Sequence, residues 1–311
     1  MSGSSQWPRT PPYRYSPIVA RPPLVYPGGK RMAFYVGMNI EHFHAGVRST
    51  SRAAVTAALP VDVLNHGWRD YGTRVGIWRL IDLFDRLELR QSALVNADAA
   101  TAYPQIVAAG RERGWAWVAH GQTNSQLWTG MEPAVERVAL REVVETIEAA
   151  TGTRPRGWLG PALTETAHTP ALLAELGLTY TLGWGVADDQ PFALDVPGAR
   201  LLAVPYSIEV NDIPVFLDQS TTAGGFEQMI VDQFDVLHAE SQERPGAVFG
   251  LSLHPFLVGQ PFRMPALERA LRHVRAHDDV WFCTTDELAE WYLANAYDDA
   301  ARTFAGGDDA R

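Results

Sequence analysis

The sequence predicts an α/β fold: an irregular (β/α) barrel of seven or eight strands, in a single domain with an extended N-terminal arm. Two observations predict it. Short apolar runs alternate with segments of helical periodicity over residues 31–296, and alternation on this scale implies a parallel sheet. The 311 residues also suit one barrel, since barrels routinely exceed 200 residues as one domain. A doubly wound open sheet is the alternative that shares the alternation.

Residues 1–30 contain Pro8, Pro11, Pro12, Pro17, Pro22, Pro23 and Pro27. Seven prolines exclude a helix and break any strand ladder, while the aromatic, Val and Leu residues between them predict an arm lying on the domain. Met32–Met38 reads as the first strand. Ile77, Leu80, Ile81, Phe84 and Leu87 then recur at helical spacing, with charged residues opposite. Ser92–Asn96 and Trp115–Ala119 read as strands, followed by a helix with Val135, Val138, Val144 and Ile147 inward. Gly157–Leu159 and Thr179–Trp184 are strand-like. Between them a short helix starts at Thr169-Pro170 and stops at Gly177. Leu201–Pro205 and Ala247–Leu253 continue the series. Two amphipathic helices follow the pattern, one with Phe226, Met229, Ile230 and Leu237 and one with Leu267, Leu271 and Val274. Val280–Thr284 closes it, and residues 297–311 read as a polar tail.

A formal net charge of −10 without any Lys/Arg run argues against nucleic acid or an anionic membrane as partner. No stretch approaches the ~20 apolar residues of a membrane span, and no signal-peptide pattern precedes the domain, so a cytoplasmic location is expected. A small-molecule or sugar substrate is compatible with this charge, which does not select one; a homo-oligomer is left open. The lone Cys283 lies in an apolar run and reads as a buried structural thiol.

A barrel carries its functional residues at the C-terminal ends of its strands. After the first strand come Asn39, Glu41, His42 and His44; after the third, His120 and Asn124; after Leu159, Gly160 and Pro161; after Leu201–Pro205, Tyr206, Asn211 and Asp212; after Ala247–Leu253, His254 and Pro255. Polar residues recur beyond five strands, more often than surface loops alone require.

In this order the segments resemble the polysaccharide deacetylase family, and within it the branch that includes metal-independent allantoinases and peptidoglycan-deacetylase-like proteins. The segment His66–Gly76 is similar to that branch's loop after the first strand. His120-Gly121, Gly157-Trp158, Asn211-Asp212 and Leu253-His254-Pro255 are further matches, over residues 30–295. The resemblance implies hydrolysis of a non-peptide C–N amide bond. Usual members have an Asp base, an Asp metal ligand, a His-x-x-x-His ligand pair and a late His acid. Here Asn39 stands at the base, Glu41 at the ligand, His120 at the first His and Asn124 at the second. A neutral amide oxygen is a poor substitute for imidazole on Zn²⁺, so Glu41 and His120 are expected to form a weak or vacant metal site, and no cofactor is required.

The candidate catalytic residues are Glu41 as base, His254 as acid, and His120 orienting water or holding metal. Burial is expected to raise the Glu41 pKa toward neutrality. The alternatives are a Glu41–arginine pair, for which Arg74 is the candidate, and packed structural histidines. Trp68, Tyr71, Arg74 and Trp158 resemble pocket walls, although a core role for Trp158 is as good a reading. Asn39, Asn124, Asn211 and Asp212 are candidate substrate contacts; Asn211 and Asp212 equally suit a turn cap. His42 and His44 are expected to face solvent or to be structural. The expected substrate is a small cyclic amide or ureide, or an N-acetylated sugar. A catalytically degenerate binding barrel is the alternative function, and a purely structural barrel a third.

Overall fold

The computed structural model describes residues 10–45, 47, 56 and 59–300. The ends of the arm and tail, residues 1–9 and 301–311, lie outside that set. Strand β1 (Met32–Ile40) is buried along its whole length, because helices cover one face and the barrel interior the other. It is followed by α1 (Val63–Tyr71), a π-helical turn at Gly72–Gly76, α2 (Ile77–Arg86) and β2 (Gln91–Val95). Next come α3 (Ala97–Ala102), α4 (Pro104–Glu112), β3 (Ala116–Ala119), α5 (Pro133–Thr151), β4 (Gly157–Trp158), α6 (Thr169–Glu175) and β5 (Tyr180–Thr181). The chain continues with β6 (Phe192–Leu194), β7 (Leu201–Ala203), α7 (Ala223–Glu243), β8 (Ala247–Leu253), α8 (Pro255–Val258), α9 (Met264–Arg275), β9 (Val280–Phe282) and α10 (Thr285–Asn295).

The sheet runs in the order β6-β7-β5-β4-β3-β2-β1-β8, with β9 beside the start of β1. All ladders are parallel except β6–β7. The periodicity thus locates the eight parallel strands and misses the antiparallel β6. The sheet curls into a barrel whose last seam, among the described residues, has no full ladder. One bridge, Asn211 with Ser252, and the Val248 N–H donated to the Asp189 carbonyl (2.8 Å) span it.

Two layers of core result. Met32, Phe34, Val36, Met38 and Ile40 pack outward against the helices, whereas Ala33 and Tyr35 belong to a second cluster with Leu94, Val118, Leu202, Val204, Tyr206 and Val248. These are the inward rows, spaced by two as strand geometry requires.

Several elements differ from expectation. The segment His66–Gly76 is helix rather than loop. Asp62 caps α1 by accepting the Asn65 N–H, and the helix runs on through the π-turn. On α5, Val135 and Val138 are exposed, and Glu136, Leu140, Val143, Val144 and Ile147 face inward. The helical register turns about one residue from the predicted stripe because Glu136 is satisfied inside, by Trp128 Nε1 (2.9 Å) and the Thr166 hydroxyl (2.5 Å). Helices α3, α4, α8 and α10 add to those predicted. From the arm, Tyr13 stacks edge-on against Phe192 and Trp184, Arg21 pairs with Asp188, and Tyr26 is buried. At the other end Tyr297 and Ala300 pack into the second cluster.

Candidate functional site

The inward rows do not stop where the hydrogen-bonded strands stop. Tyr35, Gly37 and Asn39 lead to Glu41; Leu94 to Asn96; Val118 to His120; Leu202 and Val204 to Tyr206; Val248, Gly250 and Ser252 to His254. Every second residue points into the barrel, so the first residue beyond each apolar row stands at its mouth. There a cavity of about 300 Å³ is lined by Asn39, Glu41, Arg69, His120, Asn124, Asn211 and His254.

Glu41 is the centre. Its Oε1 lies 3.5 Å from His120 Nε2 and 3.6 Å from His254 Nε2, and all three side chains are almost fully buried. Asn124 Nδ2 donates to the same oxygen. His120 Nδ1 lies 2.6 Å from the Leu159 carbonyl. A carbonyl only accepts, so that nitrogen carries a proton and Nε2 faces Glu41. Asp212 holds His254 in the same way, accepting from Nδ1 (2.6 Å) and from the His254 backbone N–H (2.7 Å).

Burial disfavours charge on Glu41, but His254 and His120 outweigh it and hold the carboxyl well below the usual carboxylate range. The sequence expectation of a raised pKa is therefore corrected: the two imidazoles reverse the effect of burial. For His254, burial also opposes charge, and Asp212 and then Glu41 push the imidazole up to about 10. Burial lowers Arg69 to about 10, with Glu41 opposing.

The remaining predicted residues separate. Asn39 donates to Tyr206 (3.2 Å), Ser252 (3.3 Å) and the Leu253 carbonyl (3.2 Å), and Asn211 donates to Ser252 (3.0 Å). Asp212 stands behind His254 rather than on the cavity wall. Trp158 is core, stacked edge-on against Trp128. Trp68 packs behind Phe256, and Tyr71 receives a hydrogen bond from Arg79. Arg74 is mostly exposed and pairs with Asp70 at 3.5 Å, not with Glu41. None of these four lines the cavity. The helical winding of residues 63–76 turns Arg69 there instead, its guanidinium 3.5 Å above the Phe43 ring. The sequence patterns do not single out Arg69, Phe43, Asn96 or Ser252, and they mark Tyr206 only as a residue that follows a strand end. Continuing the inward rows of Leu94 and Val204 two residues further finds Asn96 and Tyr206, and Ser252 lies on the row that leads to His254.

The usual family metal would need a third ligand at Asn124. Its Oδ1 accepts from Asn96 Nδ2 (2.9 Å) and its amide hydrogens face Glu41. That position presents donors rather than a lone pair, so these residues do not fit the ion.

A polysaccharide deacetylase family model matches residues 68–181. The probable polysaccharide deacetylase from Pseudomonas aeruginosa PAO1 is 28% identical, covering 89% of this chain and 95% of its own, with a TM-score of 0.77. The PuuE allantoinase is 27% identical over the same shares, with a TM-score of 0.78. The peptidoglycan deacetylase of Helicobacter pylori is 26% identical over 259 residues, 72% of this chain and 85% of that protein. The barrel and these matches define a hydrolase acting on carbon–nitrogen bonds other than peptide bonds. More narrowly, residues 68–181 match the polysaccharide deacetylase family model. Among the described residues, no helix is long and apolar enough to cross a membrane.

Proposed function

We propose that this protein hydrolyses an amide C–N bond in a small cyclic amide or ureide, or in an N-acetylated sugar, with Glu41 as base and His254 as acid. The observation that carries the reading is one carboxylate oxygen facing two imidazoles, each oriented by its own acceptor, inside a cavity. A volume of about 300 Å³ is at the lower end for ligand pockets and favours a small substrate over a polymer chain.

Water adds to the carbonyl carbon as Glu41 removes its proton. The tetrahedral intermediate then collapses, the C–N bond breaks, and the leaving nitrogen takes the proton of His254 Nε2. Asp212 keeps the imidazole aimed and stabilises its charge. His120 and Asn124 position the water beside Glu41. Arg69 is suited to a carbonyl or carboxylate of the substrate. No step runs through a metal, given the donors at Asn124. The site is proposed to act in the cytoplasm.

The alternative, a binding barrel without turnover, is favoured by the amide side chain of Asn39, which cannot take a proton where the family's base is expected. Chelator-treated protein offered allantoin, hydantoins, cyclic imides and N-acetylated sugars separates the two. Turnover that falls roughly 10²–10⁴-fold in Glu41→Gln is expected. Parental turnover in that variant would remove Glu41 from the mechanism, and binding without turnover would favour the alternative.

A further inference from the structure

We propose that His42, His44 and Asp98 form a second site, specific for a divalent transition ion of the zinc class, at the mouth of the barrel. These residues take no part in the hydrolysis described above. Among the described residues they are a group whose imidazole and carboxylate ligand atoms all lie within 4.8 Å of one another. Four-coordinate Zn²⁺ with bonds of 2.0–2.2 Å sets its ligand atoms roughly 3.4 Å apart. Closing on an ion therefore needs side-chain shifts of only about 1 Å.

The arrangement is built from the backbone outward. His42 and His44 are two residues apart on the segment that leaves β1, the spacing that puts both rings on one side of an extended chain. The His42 N–H donates to Asn96 Oδ1 (2.8 Å), and its carbonyl accepts from the Asn124 N–H (3.0 Å). The His44 N–H donates to Ser125 Oγ (2.8 Å). Asp98 sits in the first turn of α3, its Oδ1 bonded by Gln122 and its Oδ2 2.7 Å from His44 Nε2. The Tyr103 hydroxyl holds the His42 ring through Nδ1 at 3.0 Å. Anchors of this kind fix the orientation of ligand rings at metal sites.

Two imidazoles and one carboxylate suit Zn²⁺ and its neighbours, whereas Mg²⁺ and Ca²⁺ require oxygen ligands. His42 and Asp98 are half-buried and His44 is exposed, which leaves a fourth position to water. A bound ion would tie the exit of β1, and with it Glu41, to α3.

Titration calorimetry of the chelator-treated full chain with ZnCl₂ tests the site, with MgCl₂ as control. One Zn²⁺ per chain is expected, with affinity weakened more than about 10-fold in His44→Ala and in Asp98→Asn, and unchanged in Glu41→Gln and His120→Asn. CoCl₂ should give visible absorption bands that His44→Ala abolishes. His44 is exposed, so that variant should melt like the parent in the absence of metal. Zn²⁺ binding no tighter than Mg²⁺ would overturn the proposal. So would parental affinity in both His44→Ala and Asp98→Asn.

Discussion

At the scale of single residues, the site is governed by who donates to whom. Glu41 Oε1 accepts from Asn124 and faces two imidazoles, and its carboxyl is held ionised far below the usual range. His254 is held protonated up to about 10. The acidic limb of any rate profile should therefore lie below pH ~4, the ordinary carboxylate range, and the alkaline limb near pH 10. Asp212→Asn removes the partner that raises His254, and should move the alkaline limb toward neutrality when kcat is measured across pH. Asn124→His restores an imidazole four residues after His120. In a His44→Ala background this variant should bind Zn²⁺ more tightly than that background alone, as calorimetry would register. An unchanged affinity would mean that the missing imidazole is not what limits metal binding.

At the scale of elements, the helical segment 63–76 carries Arg69 to the cavity and also seats α8, the helix that directly follows His254. Gly72 and Gly76 allow that contact. A Cβ on Gly76 would stand 2.1 Å from the Pro255 carbonyl oxygen, and one on Gly72 2.7 Å from the Phe256 nitrogen. Gly76→Ala should push α8 away, destabilise by roughly 1–3 kcal/mol as overpacking does, and lower kcat by displacing His254. Gly67 lies on the exposed side of α1, where a Cβ would meet nothing within 4 Å. Gly67→Ala should therefore stabilise by about 1 kcal/mol through helix propensity alone. Thermal melts of the two variants check the pair. Equal melting points would show that the π-turn does not hold α8.

For the whole molecule, the buried charges couple stability to pH. The folded-state pKa of His254 lies above its unfolded value of about 6.5. Its contribution is fully present below pH ~6.5 and is lost as pH rises through about 10. Glu41 has a depressed folded-state pKa, so its contribution is present above the unfolded value of about 4.3 and declines as pH falls. The melting temperature should be highest between these limits and should fall from pH 7 to pH 10. Asp212→Asn should flatten the alkaline decline, and a parental slope in that variant would exclude His254 as its source.

Alternation of apolar runs determined the eight parallel strands, and the rule that barrel sites follow strand ends determined Glu41, His120, Asn124 and His254 as neighbours in the cavity. Both are local patterns with fixed periods, so they are written in the chain. The sequence could not determine the sign of the Glu41 shift, since two imidazoles from distant strands reverse what burial alone would do. Nor could it place Arg69 rather than Arg74 in the cavity. The Asp62 cap and the packing of Pro255 and Phe256 against two glycines set that helical phase. The role of Asp212 behind His254 and the meeting of His42, His44 and Asp98 were likewise decided by tertiary structure. Each depends on segments brought together by sheet register, and register across non-neighbouring strands leaves no local periodicity to read.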